Sequence, residues 1–100
     1  MLVIAGTFTF DATQTEAAKA AAATMMAATH EEEGCIEYAF SIDVADPSVI
    51  HVFEAWESEE HLQAHFQTPH MTEFGAALAN FGITGRDILK YQVASTGPVR

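Results

Sequence analysis

The segment from Glu31 to Met71 has the clearest structural pattern in this chain, and it reads EEEGCIEYAFSIDVADPSVIHVFEAWESEEHLQAHFQTPHM. Its first half contains two runs rich in β-branched and aromatic residues, which predict strands over residues 35–44 and 49–57. Between them, residues 45–48 read Ala-Asp-Pro-Ser, a turn sequence in which proline presets φ. The two strands are therefore predicted to form a hairpin.

The second half of the segment predicts a helical region that is interrupted once. Ser58 is a good N-cap, and the two glutamates that follow it suit the first turn of a helix. Thr68-Pro69 starts a second helix, because proline is tolerated at the first helical position. Phe74, Leu78 and Phe81 then form one apolar stripe.

The flanking segments complete the pattern. Residues 2–10 predict a strand, and the alanine-rich residues 11–33 predict a helix. Residues 13–16, Thr-Gln-Thr-Glu, have the spacing of a capping box. A last strand is predicted over 83–94, with a frayed tail at 95–100. The order βαββαβ predicts a single α+β domain over residues 1–100, with a ferredoxin-like antiparallel sheet.

Charge and composition narrow the range of partners. Fourteen acidic residues against four basic ones give a formal charge of −10, which disfavours nucleic acid and anionic membranes. The single cysteine, Cys35, excludes an intramolecular disulfide and is expected to be a buried strand residue. The N-terminal segment lacks the pattern of a signal peptide, and no apolar run is long enough to span a membrane. We therefore expect a cytoplasmic protein.

Apolar residues occupy both parities of the strand at 49–57, which predicts a sheet that is covered on both faces. The predicted helices can cover only one face. A second copy of the chain would cover the other, so we expect a homodimer.

Glu54 is the most unusual residue by its context. It lies in the middle of a predicted strand, between Val52 and Trp56 on an otherwise apolar parity. A buried carboxylate must be paired, hydrogen-bonded or protonated, and burial raises its pKa, which suits a general base. A carboxylate tied to a neighbour for structural reasons alone is the alternative.

His65 is the second candidate catalytic residue. It follows Leu62 by three positions and precedes Phe66, so it flanks the apolar face of the short helix. An imidazole there can act as acid, base or hydrogen-bond donor, although a helix-end histidine that binds free carbonyls is the alternative. We expect Glu54 and His65 to face one cavity, walled by Trp56 and Phe66.

Aromatic side chains are the candidate substrate contacts. They would hold a small planar or quinol-like ligand, or else simply form the core. His70 is placed at the pocket mouth, with an exposed first-turn position as the alternative. The candidate substrate-binding residues are Tyr38, Trp56, Phe66, His70 and Phe74.

Cofactor signals are weak. His61 and His65 are four residues apart, a spacing that can bind metal, and Glu54, Glu60 or His70 is a conceivable third ligand. However, His61 follows two glutamates that are expected to face solvent. Gly-rich phosphate loops, Cys-x-x-Cys pairs and nucleophile elbows are absent from the sequence. We expect no metal, flavin, nicotinamide or ATP.

The order of the hairpin, Glu54-x-Trp56, Leu62-x-x-His65 and Thr68-Pro69-His70 resembles the antibiotic biosynthesis monooxygenase domain family over nearly the whole chain. The resemblance implies a dimeric α+β barrel, generally free of metal, that often carries a histidine at the position of His65. Members of this family include cofactor-independent monooxygenases that oxidise quinols or polyketide anthrones with O₂. Other members degrade haem, and at least one isomerises a phosphorylated signalling sugar.

The haem-degrading branch of that family fits this sequence poorly. It relies on an asparagine in the first strand, where this chain has Ala5, Gly6 and Thr7, and on a tryptophan about where His65 stands. The resemblance therefore implies a cofactor-independent monooxygenase with a quinol-like or polyphenolic substrate. An isomerase of a small phosphorylated metabolite and a ligand-binding barrel without turnover remain open alternatives.

Overall fold

The computed structural model describes all 100 residues and contains one antiparallel sheet with helices on one side. The sheet has the strand order β2-β3-β1-β4, so the predicted ferredoxin-like α+β fold is confirmed. No helix combines the length and apolar character needed to cross a bilayer. The elements are β1 (Leu2–Thr9), α1 (Thr15–Thr29), β2 (Cys35–Ile42), β3 (Val49–Trp56), α2 (Glu59–Phe66), α3 (Pro69–Leu78) and β4 (Gly85–Gln92).

The first helix is shorter than predicted at both ends. Asp11 accepts a hydrogen bond from the Thr13 backbone N–H at 2.9 Å, and a 3₁₀ turn over Ala12–Gln14 precedes α1. The predicted capping box is therefore wrong. At the other end α1 stops at Thr29, and residues 30–34 form a turn instead of a continued helix. Three successive glutamates at a helix C-terminus would be disfavoured by the helix dipole, which explains the early stop.

A β-bulge interrupts the predicted alternation in β2. Cys35 pairs with Trp56 and Glu37 pairs with Ala55, which leaves Ile36 unpaired. Ile36 is 53% exposed, although regular alternation with buried Tyr38 would place it on the core face.

The C-terminal elements are also shorter than predicted. Helix α3 ends at Leu78, and Phe81 reaches the core from the following loop, where it is buried. Gly82 turns this loop with a φ of +65°, and β4 begins only at Gly85. Residues 93–100 form neither helix nor strand.

The core lies between the sheet and the three helices. Trp56 is fully buried near its centre, and alanines on α1 allow that helix to approach closely. The main core residues are Leu2, Phe8, Phe10, Ala18, Met25, Tyr38, Ile50, Val52, Trp56, Leu62, Phe74 and Phe81.

The opposite face of the sheet is bare. Phe53 and Leu89 both pair with Ala5, so they lie side by side across β1, and they are 40% and 57% exposed. Tyr91 on β4 and Ile36 at the bulge are also exposed. This bare sheet face is the surface on which the sequence predicts a second copy of the chain, and that assembly stays a prediction.

Candidate functional site

A cleft of about 710 Å³, called the main cavity below, opens between the sheet and α3. Its walls are mostly apolar and include Phe8, Tyr38, Phe40 and Phe74. Glu54 and Arg86 are the only charged residues in the lining. A largely apolar cleft with a few polar groups is the usual form of a small-molecule site.

Glu54 is held on the wall of the main cavity by its strand and by Trp56. It lies in β3 opposite Ile4 and Tyr38, and the Trp56 indole N–H donates to its Oε1 at 3.0 Å. Burial raises the pKa of Glu54, and this effect is opposed by the indole hydrogen bond and by nearby His65. A carboxyl of this kind exchanges its proton at a higher pH than usual, as a general base requires.

Tyr38 lines the main cavity beside Glu54. Its residue is only 3% exposed, and burial, with the nearby Glu54 carboxylate, raises the pKa of Tyr38 far above its usual range. The phenol therefore stays neutral at physiological pH. A neutral phenol can donate a hydrogen bond to an oxygen that becomes negatively charged during a reaction.

His65 lies behind the wall of the main cavity. It is 1% exposed, with its ring centroid 4.8 Å from that of Trp56 and 5.4 Å from that of Tyr38. Glu54 lines the cleft, whereas His65 does not. The prediction that both residues face one cavity is therefore wrong. The Trp56 and Tyr38 rings occupy the space into which His65 was expected to point.

A three-residue group, the Glu32 cluster, joins the helices next to this wall. Glu32 Oε2 lies 2.7 Å from His65 Nδ1 and 2.6 Å from His70 Nε2. Glu32 comes from the turn after α1, His65 from the last turn of α2 and His70 from the first turn of α3. His70 is therefore a partner of the cluster and does not line the main cavity.

Sequence reasoning missed Glu32. It is one of three successive glutamates, and those were assigned to a helix end. The signal that was available is Gly34, which has a φ of +83° and marks a turn that redirects the chain just after them.

The other candidate residues are divided between the cavity and its surroundings. Phe74 lines the cavity and stacks on Phe40, with ring centroids 5.3 Å apart. Trp56 is buried behind the wall, and Phe66 is 44% exposed outside it. The predicted role of Phe66 as a cavity wall is not what the structure shows, because its helix position turns it toward solvent.

His61 and Arg86 take no part in the Glu32 cluster. His61 Nδ1 lies 2.8 Å from the Ser58 hydroxyl, so His61 belongs to the helix cap and is not part of the Glu32 cluster. Arg86 is next to Asp87 in the sequence, yet no carboxylate lies within 4.0 Å of its guanidinium. Adjacent strand residues point to opposite faces, which separates these two side chains.

Comparison with known proteins finds a family model and curated relatives that are both described as monooxygenases. Residues 1–77 match the antibiotic biosynthesis monooxygenase family. The probable quinol monooxygenase YgiN of Escherichia coli K12 is 43% identical over 56 residues, which cover 48% of this chain and 54% of that protein. The same values hold for the protein of that name from Shigella flexneri. The chain thus spans about half the length of the curated relatives it matches.

Solved structures share the whole fold. A Deinococcus radiodurans protein, provisionally assigned to the antibiotic biosynthesis monooxygenases, superimposes with a TM-score of 0.92 at 23% identity, covering 100% of this chain and 99% of that one. Rv0793 from Mycobacterium tuberculosis gives a TM-score of 0.77 at 23% identity, covering 99% and 97% of the two chains. At these identities the likeness shows the fold alone.

Proposed function

Because this chain belongs to the antibiotic biosynthesis monooxygenase family, we propose that it is a cofactor-independent monooxygenase that oxidises a quinol-like or polyphenolic aromatic with O₂. The observation that carries the proposal is Glu54, a carboxyl with a raised pKa in a mostly apolar, aromatic-walled cavity. The name of the E. coli relative, a probable quinol monooxygenase, supports the same substrate class.

The proposed reaction begins with a proton transfer. Ionised Glu54 takes a proton from a phenol or enol of the bound substrate, and the resulting anion passes an electron to O₂. One oxygen atom forms a new bond to carbon, and the other leaves as water. The substrate supplies all the electrons, so the balance needs no external reductant.

The surroundings of Glu54 suit this chemistry. The Trp56 indole N–H fixes the carboxylate, and the neutral Tyr38 hydroxyl can stabilise the substrate oxyanion. Phe40 and Phe74 offer ring faces to a planar substrate. We assign His65 a positioning role, because it contacts Trp56 and Tyr38 from behind the wall and opposes the rise in the pKa of Glu54.

A homodimer is part of the proposal. The bare sheet face around Phe53 and Leu89 is apolar and continuous across β1, and a second copy of the same face would cover it.

An isomerase of a small phosphorylated metabolite is the second candidate, and Arg86 is the observation that favours it. This cation lines the main cavity with no carboxylate partner, so it is available to a phosphate. Glu54 would then move a proton between two carbons, and O₂ would not be consumed.

Oxygen uptake with a panel of reduced naphthoquinols, benzoquinols and polyphenols tests the first candidate. We expect uptake that survives dialysis against a strong chelator, with one ¹⁸O atom from ¹⁸O₂ in the product and the other in water. Turnover of a phosphorylated sugar without oxygen uptake would favour the isomerase. Tight binding of one compound without turnover of any would favour a ligand-binding barrel.

A further inference from the structure

The Glu32 cluster lies outside the main cavity, and only His65, through its contacts with Trp56 and Tyr38, connects it to the proposed site. One carboxylate oxygen, Oε2 of Glu32, contacts both imidazoles, and the three ligand atoms all lie within 4.8 Å of one another. Residues from three separate elements thus converge on one point. A side chain added at Gly34, just after Glu32, would overlap the His61 ring, so the turn that delivers Glu32 is held tightly.

We propose that Glu32, His65 and His70 form a binding site for a divalent transition metal of the Zn²⁺, Co²⁺ or Ni²⁺ class. Two imidazole nitrogens and one carboxylate oxygen are a donor set that such borderline ions prefer over Mg²⁺ or Ca²⁺. The ion takes the place of the hydrogens that now lie between the oxygen and the two nitrogens. Each hydrogen either moves to the other nitrogen of its ring or leaves as a proton.

Metal binding requires side-chain movements within the Glu32 cluster. Metal–ligand bonds of about 2.0–2.2 Å set the ligand atoms about 3.3 Å apart in a tetrahedral site. The present separations from Glu32 Oε2 are 2.7 Å and 2.6 Å. The carboxylate therefore needs to move away from each ring by roughly half an ångström, and the two imidazole nitrogens, which lie within 4.8 Å of each other, need to approach by up to about 1.5 Å. Rotations of the Glu32 and His70 side chains provide such movements.

The ion has a route into the cluster from the His70 side. The side chains of His65, Glu32 and His70 are 1%, 13% and 22% exposed, so exposure increases toward α3. His70 also lines a second cleft of about 300 Å³, together with Met25 and Glu73. Water in that cleft would complete the coordination of the ion, and the net charge of −10 raises the local concentration of cations.

Binding would fasten the turn after α1 to both α2 and α3. The three ligands come from segments that no disulfide joins, so the ion would stabilise the folded chain and not the unfolded one. Because the site is separate from the substrate cavity, the inference does not depend on which reaction the main cavity performs.

The test uses the untagged chain of 100 residues, first stripped of metal with a chelator and then desalted. Titration with CoCl₂, followed by visible absorption, and with ZnCl₂, followed by calorimetry, should give one ion per chain. At a hundredfold excess over Kd, the Tm should rise by roughly 10–20 °C. No substrate is present, so failure of the proposed oxidation would leave this result unaffected.

Three variants locate the ion. His70→Asn and Glu32→Gln should each weaken binding by at least about tenfold. His51→Asn is the matched control, because His51 also lies 2.7 Å from a carboxylate, that of Asp43, but on the exposed hairpin. It should bind as the wild type does. Should Glu32→Gln fail to fold by circular dichroism, the milder His70→Asn variant decides. Absence of binding, or binding that His70→Asn leaves unchanged, overturns the proposal.

Discussion

Glu54 combines, in one side chain, burial, an indole hydrogen bond and a place on the cavity wall. Glutamine at this position keeps an oxygen for the Trp56 N–H but cannot accept the substrate proton. We therefore expect Glu54→Gln to lower turnover by about 10²–10⁴-fold, the usual contribution of general acid–base catalysis. Oxygen uptake measures the loss, and near-ultraviolet circular dichroism checks that the fold is intact. Full activity in this variant would remove Glu54 from the mechanism.

The raised pKa of Glu54 also predicts how stability depends on pH. The folded state holds the Glu54 proton more tightly than the unfolded chain does, so this group stabilises the protein fully below its ordinary pKa of about 4.3. That contribution is lost as the pH rises through the raised value. Relative to Glu54→Gln, the wild type should therefore lose free energy of unfolding as the pH rises above about 4. Urea denaturation at several pH values measures the difference, and parallel curves for the two proteins would contradict it.

Candidate site residues were predictable where a polar side chain interrupted an apolar face of a strand or helix. Glu54 and His65 stood out because each is polar on an apolar face, and both are buried as that pattern indicates. Glu32 gave no such contrast within its acidic run. Its contact with His65 spans 33 positions, and a separation of that length leaves no local periodicity to detect.

Among the elements, the pairing of β1 with β4 depends on Gly6. A Cβ at this position would lie 2.0 Å from the Asp87 carbonyl oxygen and 2.6 Å from the Ile88 Cα, and backbone atoms do not yield easily. Gly6→Ala should therefore destabilise the fold by roughly 2–4 kcal/mol. Gly75, inside α3 with nothing within 4 Å of its added Cβ, is the matched control.

The control substitution at Gly75 is expected to change the stability in the opposite direction. Gly75→Ala should stabilise the protein by about 0.5–1 kcal/mol, because alanine has the higher helix propensity. Urea denaturation of both variants gives the comparison. Equal stabilities for the two alanine variants would show that β4 can move away from β1 without cost.

The number, type and order of the elements follow from hydrophobic period and turn residues, which are local properties. Their ends follow less well. Alanine propensity extended α1 through residues whose charges oppose the helix dipole. The bulge at Ile36 arises from how β2 pairs with β3, and one strand's own alternation does not contain that information.

At the scale of the whole molecule, the bare sheet face predicts self-association. Light scattering at micromolar concentration should give about twice the chain mass of 10.8 kDa. Phe53→Asp and Leu89→Asp should each shift the protein toward the monomer, because a charge would be buried in the interface. Val44→Asp, on the fully exposed hairpin turn, adds the same charge elsewhere and should not. A wild type that stays folded at the mass of one chain would contradict the dimer.

The fold of one chain was thus predictable from its hydrophobic periodicity and turn residues. Its assembly was predictable only to the extent that an apolar sheet face requires a partner surface to cover it. The shape of the main cavity was not predictable. It depends on which way the rings of Tyr38 and Trp56 turn in a packed core, and that is settled by all their neighbours together.

Trp56 has one further consequence, because it is the only tryptophan in the chain. Its indole donates to Glu54, and its ring lies against His65, so the chain's natural fluorophore lies directly behind the wall of the site. When the indole is excited selectively, all of the fluorescence comes from this one residue. The fluorescence should change when a ligand binds, when the charge of Glu54 or His65 changes, or when the core unfolds. Binding and unfolding can therefore be measured without an attached dye.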